Sequence, residues 1–208
     1  MKQPSRELPT IELSGAKFFV DAYGQQLIDT QKKDNVISIW NMLFVEDHFE
    51  LLYDKAIRNV KASNWTEAKG ERYEYIWLRP LGFYDNQGAI MGLQEAGRSL
   101  PTDSLPRVEL AGIPFHWHEQ NGELWQVDNP WNRIGKGDYT VHEKDWGIYF
   151  DTDRKVVPYP HELPVIKPCE PLPPHLHFFT WVEVSNKIQQ AKTISVPDPS
   201  RKSGPKLK

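Results

Sequence analysis

At 208 residues, with 39% hydrophobic and 25% charged side chains, the chain has the make-up of a folded protein and not of a disordered one. A formal net charge of −3 at pH 7 argues against a molecule that holds nucleic acid by wholesale phosphate neutralisation. The single cysteine, Cys169, excludes an intrachain disulfide and fits a reducing compartment.

The opening "MKQPSRELPTIEL" has no apolar run of the signal-peptide kind, and no segment approaches the roughly 20 apolar residues that span a bilayer. The expectation is a cytoplasmic chain without a membrane partner. After an N-terminal arm of residues 1–7, alternation begins: in "TIEL", Ile11 and Leu13 flank Glu12, the period of a half-buried strand. Gly15 then sits between two strand-like runs, where a turn needing positive φ or close backbone approach favours glycine, and "AYGQQ" supplies the next turn. "HFELLYD" places Phe49, Leu51 and Tyr53 on one face, and "YDKAIRN" closes a hairpin with Asp54 placed to accept from its own turn. "YEYIWLRPL" gives a late strand and "AIMGLQEAG" a short helix. Residues 97–104, "GRSLPTDS", are turn formers without a period and read as a linker.

From Leu105 the pattern starts again. Shifted by 97 positions, Leu8 and Pro9 meet Leu105 and Pro106, Glu12 meets Glu109, Gly15 meets Gly112, Phe18 meets Phe115, and Asn35 meets Asn132. At the same shift "DHFELLYDKAIRNV" lies over "KDWGIYFDTDRKVV", so that Asp54 meets Asp151 and Val60 meets Val157. An ungapped match over roughly fifty residues marks one unit written twice. The expected fold is therefore mostly β, a β-rich α+β chain formed by tandem duplication of a small antiparallel β-meander, with one or two short helices. Copy one covers residues 8–96 and copy two residues 105–192, followed by a flexible basic tail over 193–208. Within copy two, Asn121-Gly122 is a type I′ hairpin signal. "PYPHELPVIKPCEPLPP" reads as extended. "HFFTWVEVS" aligns with "YEYIWLRPL" at a different shift, on Trp181 and Trp77, and "VSNKIQQAK" reads as a helix.

The run Leu-Pro-x-Ile/Val-Glu-Leu-x-Gly, then Phe and an alternating strand, then Asp-Asn-Pro-x-Asn-x-Ile, resembles N-terminal segments of uncharacterised proteins from Bacteroidota genomes. Copy two carries "DNPWNRI" and copy one "KKDNVI" at that place. The resemblance spans about half of each copy and implies no activity, cofactor or partner.

In "FHWH", His116 and His118 project from one face of a strand and Phe115 and Trp117 from the other. Copy one has Phe19 and Asp21 there, so the fold does not itself require imidazoles. A second pair, His175 and His177, stands in "PHLHFF". Two such strands side by side would offer four imidazoles to one zinc or iron ion, with His142, Asp145 or Glu119 to complete the sphere. The plainer reading is histidines on half-exposed strands that hold nothing, so the cofactor expectation is none, or one zinc or iron ion.

Cys169, in "KPCEPLPP", has no helix N-terminus to lower its pKa and is not read as a nucleophile. Glu12 and Glu109 read as the outward residue of the same strand twice, not as an acid–base pair. Phosphate-loop, His-Glu-x-x-His and Gly-x-Ser-x-Gly patterns do not occur, and no catalytic residue is assigned. Asp128, Asn129 and Asn132 read as turn chemistry.

The aromatic content exceeds what two small cores consume, so Trp65, Trp125 and Trp131 are expected to bind a partner. Arg201, Lys202, Lys206 and Lys208 give the tail a route to nucleic acid. The leading expectation is a non-enzymatic protein-binding or adaptor protein. The alternatives are a metal-dependent hydrolase or oxygenase using the copy-two histidines, and a nucleic-acid-associated accessory protein of a mobile element or defence system.

Overall fold

A computed structural model describes residues 6–60, 70–100, 105–166 and 170–195. The chain divides into two units, Met1–Leu100 and Pro101–Lys208.

Unit one begins with strands β1 (Thr10–Leu13), β2 (Ala16–Asp21), β3 (Gln26–Asp29) and β4 (Val36–Ser38), paired antiparallel in chain order. A single 3-10 turn over Ile39–Asn41 leads to β5 (Leu43–Val45), β6 (His48–Asp54), β7 (Asn59–Val60) and β8 (Tyr73–Leu78). Glu50 of β6 pairs with both Leu43 and Trp77, and Tyr53 pairs with both Val60 and Glu74. A strand has two edges, so β8 lines one edge of β6 while β5 and β7 share the other, one at each end. Helices α1 (Leu81–Tyr84) and α2 (Asn86–Glu95) follow.

Alternation builds the core as the period-two pattern requires. Phe18 and Val20 of β2 are fully buried, while Lys17 points outward. Together with Leu13, Leu27 and Ile37 they pack against Leu51, Tyr53 and Leu78 of the second sheet and Leu81 of α1. Each such side chain contributes about 1.5–3 kcal/mol when fully buried.

Unit two repeats the plan with β9 (Arg107–Leu110), β10 (Ile113–His118), β11 (Glu123–Gln126) and β12 (Arg133–Ile134) in one sheet. The strands β13 (Thr140–His142), β14 (Asp145–Asp151) and β15 (Leu176–Thr180) form another, and α3 (Trp181–Ser195) closes the unit. Its core joins Leu110, Phe115, Leu124 and Ile134 to Ile148 and Phe150, capped by Val184, Ile188 and Ala191 of α3. The molecule is thus mostly β. No described helix is long and apolar enough to cross a membrane.

The bounds of β1, β2, β3, β5 and β6 recur in β9, β10, β11, β13 and β14 at an offset of 97 residues. Left-handed backbone recurs at the same offset: Ser14-Gly15 with Ala111-Gly112, Gln25 with Gly122, Glu46 with Glu143, and Arg58 with Lys155. Ser14 (φ 50°) and Gly15 (φ 79°) are the two loop residues between β1 and β2, which is the type I′ geometry that matches strand twist. The Asn121-Gly122 turn departs from the expected two-residue loop. Four residues separate β10 from β11, only Gly122 is left-handed, and its N–H donates to the His118 carbonyl at 2.8 Å.

"HFFTWVEVS" changes from strand to helix at Trp181. The Thr180 hydroxyl accepts from the Glu183 N–H at 3.2 Å, and the Glu183 carboxylate accepts from the Thr180 N–H at 2.8 Å. This capping box starts α3 at Trp181 and ends β15 one residue earlier. Gly147 pairs with Thr180 as Glu50 pairs with Trp77, so the structural counterpart of Trp77 is Thr180 and not Trp181.

Buried polar groups lock the loops. Asn132 Nδ2 donates to the Lys155 carbonyl and to Gln126 Oε1, both at 2.6 Å, and Asn35 Nδ2 donates to the Arg58 carbonyl at 2.9 Å. In each unit the asparagine ties the loop ahead of the fourth strand to the hairpin after the long central one, a link across 23 residues that the local turn reading of Asn132 did not include. Asp54 and Asp151 accept from their own turns, at Ala56 N and Arg154 N, each at 2.9 Å. Ahead of β1, Arg6 donates to Asp21 at 2.8 Å and to Asp85, whose carboxylate also caps α2 at Gly88.

Candidate functional site

The outward face of the β9–β12 sheet carries one row straight across its four strands. Arg107 pairs with His116, His116 with Trp125, and Trp125 with Arg133. Neighbours in such a row have Cβ atoms roughly 4.5–5.5 Å apart, so their side chains interact. Trp125 receives the ring of His118 at 3.9 Å and the guanidinium of Arg133 at 3.8 Å from its centroid. Two groups that close to one centroid cannot share a face, so the indole is sandwiched between them. Its Nε1 donates to Glu123 at 2.7 Å. Burial pushes the His118 imidazole below the ordinary histidine range, with the Glu123 carboxylate opposing. Nδ1 of His116 and Nε2 of His118 are shielded from solvent and have no hydrogen-bond partner among the described residues.

His116 and His118 therefore come together, as i, i+2 geometry requires. The other pair lies on another sheet. His175 precedes β15 and is held by its carbonyl, which accepts from Thr152 N at 2.8 Å, while His177 is exposed opposite Phe150. Of the residues expected to complete a metal sphere, His142 Nδ1 lies 2.8 Å from the Tyr149 hydroxyl, Glu119 accepts from Lys192 at 2.5 Å, and Asp145 begins β14. Among the described residues no group of three or more His, Cys, Asp or Glu is placed to hold a metal ion.

Trp125 belongs to β11 and keeps its period, half-buried between the buried Leu124 and Gln126. Trp131 is half-buried in the turn before β12. Trp65, Cys169 and the tail residues Arg201, Lys202, Lys206 and Lys208 lie outside the described residues.

The equivalent row in unit one is Thr10, Phe19, Ile28 and Val36, with no charge at all. Unit one presents its unusual surface elsewhere. Trp40 is 82% exposed, and β5 beside it exposes Leu43 (51%) and Phe44 (56%). Leu43 stands on the face it shares with Glu50 and Trp77. Phe44 stands on the opposite face, its ring 5.0 Å from that of Phe49. In the turn after β5, Glu46 and Asp47 are exposed. His48 is buried, with its ring nitrogens 3.0 Å from Asp47 and 3.3 Å from Glu50, and it stacks on Trp77 at 4.4 Å.

Unit two has a second aromatic cluster. Tyr139, Trp146 and Trp181 lie 5.0–5.9 Å apart between centroids, with Val141 and Val182 exposed nearby in sequence. Burial raises the Tyr139 hydroxyl to about 12, while Trp146 and Trp181 remain 44% and 40% exposed.

Sequence reasoning passed over Trp40, Leu43 and Phe44. "IWNMLFVED" carries apolar residues at consecutive positions, which reads as interior until β5 is seen to be an edge. No protein-family model, no curated protein and no solved structure matches the chain.

Proposed function

We propose that the protein is a non-enzymatic binding protein, built from a doubled β unit, that docks a protein partner through the apolar side chains at the β5 edge of unit one. The observation that carries this reading is the coincidence of Trp40, Leu43 and Phe44, all more than half exposed, on one short stretch of chain. Scattered apolar residues on a surface are ordinary, but a cluster built around a tryptophan is the composition of an interface anchor. Unit two offers a partial contrast: at the 97-residue offset Trp40 and Leu43 become Gly137 and Thr140, so the scaffold does not need apolar groups at those two places, while Phe44 becomes the exposed Val141. Trp125 is the weaker anchor, because His118 and Arg133 already cover both of its faces.

The test is quantitative capture from a lysate of the source cells, with the full chain as bait. A partner held by the unmodified protein should be lost at least about tenfold in Trp40→Ala, the equivalent of one well-buried side chain, and retained by Trp125→Ala. Equal capture by all three baits would end the proposal.

A further inference from the structure

We infer that the segment docked at this edge is an extended peptide bearing lysine or arginine, which adds to β5 as a further strand; this rests on the binding reading above. Three features of the edge lead there. First, among the described residues β5 pairs only with β6, so none of them takes its far edge, the side on which a further strand would pair. Second, Leu43 and Phe44 point to opposite faces of the sheet, so an added strand meets an apolar neighbour whichever face its side chains take, with Trp40 standing at the start. Third, the charge has one sign. From Leu43 to Asp54 the chain carries Glu46, Asp47, Glu50 and Asp54 and no lysine or arginine. Asp54 is engaged by Arg72, at 2.6 and 2.8 Å, next to β8 on the far side of β6. Glu46 and Asp47 are exposed where β5 ends, Asp47 with one carboxylate oxygen 3.0 Å from His48 Nδ1.

Soluble proteins commonly guard an edge strand with lysine or proline. Here the edge offers carboxylates and apolar groups, which complement a cationic strand. A phosphate backbone would be repelled by the same carboxylates. A second copy of β5 brings no cation to the pairing. The equivalent edge in unit two, β13, is followed by Lys144 between Glu143 and Asp145, so the single-signed charge belongs to unit one alone.

The test uses the full chain with capped peptides about ten residues long, ample for an ordinary strand, alternating lysine with valine or glutamate with valine. Affinity is followed by tryptophan fluorescence, and backbone pairing by amide hydrogen exchange over Leu43–Val45. The lysine peptide should bind and slow exchange in β5. The glutamate peptide should bind at least about tenfold more weakly, and added salt should narrow the gap. The pair Glu46→Gln and Asp47→Asn, which keeps an acceptor beside His48, should cost about tenfold in affinity without moving the thermal midpoint.

Equal affinity for both peptides overturns the inference, as does binding without protection of β5, or self-association through β5 seen by sedimentation without peptide. If neither peptide binds while Trp40→Ala still abolishes capture of the cellular partner, the inference fails and the binding reading stands. If Trp40→Ala leaves that capture unchanged, the binding reading falls, and the inference with it.

Discussion

The imidazole of His118 stacks on the indole of Trp125, with centroids 3.9 Å apart and planes 22° from parallel. Burial holds that imidazole below the ordinary histidine range, so the folded state prefers it neutral. The unfolded chain takes up the proton near pH 6.5. Between the two values the unfolded state binds more protons, and stability rises with pH. His118 therefore contributes stability that is present above about pH 6.5 and lost as pH falls through its lowered folded value. An NMR titration should place its midpoint below that of a free histidine, and protonation should change Trp125 fluorescence. His118→Gln should remove this share of the acid slope in thermal melts. A midpoint at or above 6.5 would contradict the burial argument.

Asn132 is the tighter of the two asparagine clamps, 2% exposed and bonded at 2.6 Å to both Lys155 and Gln126. Asn132→Ala leaves the Lys155 carbonyl and the buried Gln126 amide oxygen without this donor and should cost about 1–3 kcal/mol in chemical denaturation. Asn35→Ala should cost less. Its carbonyl partner is held at a longer 2.9 Å, and Asn59, which donates to Asn35 Oδ1 at 2.6 Å, also reaches the Val36 carbonyl.

Thr180 marks the change from strand to helix. Thr180→Ala removes the hydroxyl that accepts from Glu183 N–H and should cost about 0.5–2 kcal/mol, with fraying of the first turn of α3 visible as reduced far-UV helical signal. Thr180→Ser should restore most of it. Equal stability of all three proteins would mean that the box is not what starts the helix.

Gly147 has no room for a methyl group. A Cβ there would lie 2.2 Å from the Phe179 carbonyl oxygen and 2.8 Å from the Phe178 ring. Gly147→Ala should therefore cost about 1–3 kcal/mol by forcing the strands apart. The Phe178–Tyr149 ring contact at 5.1 Å should loosen with it, read as weakened near-UV circular dichroism.

Local chemistry was legible in the sequence, and what depends on partners was not. Leu51 and Tyr53 were readable as sharing a face because alternation is a property of one strand, and both are fully buried. The aspartates of the hairpins and the Gly15 and Gly112 turns were readable because each acts within a few residues of itself. The strand-to-helix change at Trp181 was written in Thr180 and Glu183, but the alternation of "HFFTW" ran past it and hid the box. The stack on Trp125 needs the β10–β11–β12 register, which loop length fixes and composition does not. Trp40, Leu43 and Phe44 were hidden for a related reason: an apolar run looks the same at an edge as in a core.

The outward rows Thr10–Phe19–Ile28–Val36 and Arg107–His116–Trp125–Arg133 occupy matching places on strands with the same boundaries. The backbone is thus indifferent to what is written on that side, since greasy and cationic lettering rest on the same pleats. Either sheet is a slate that a protein engineer can erase and refill, while the interior that pays for folding is left untouched.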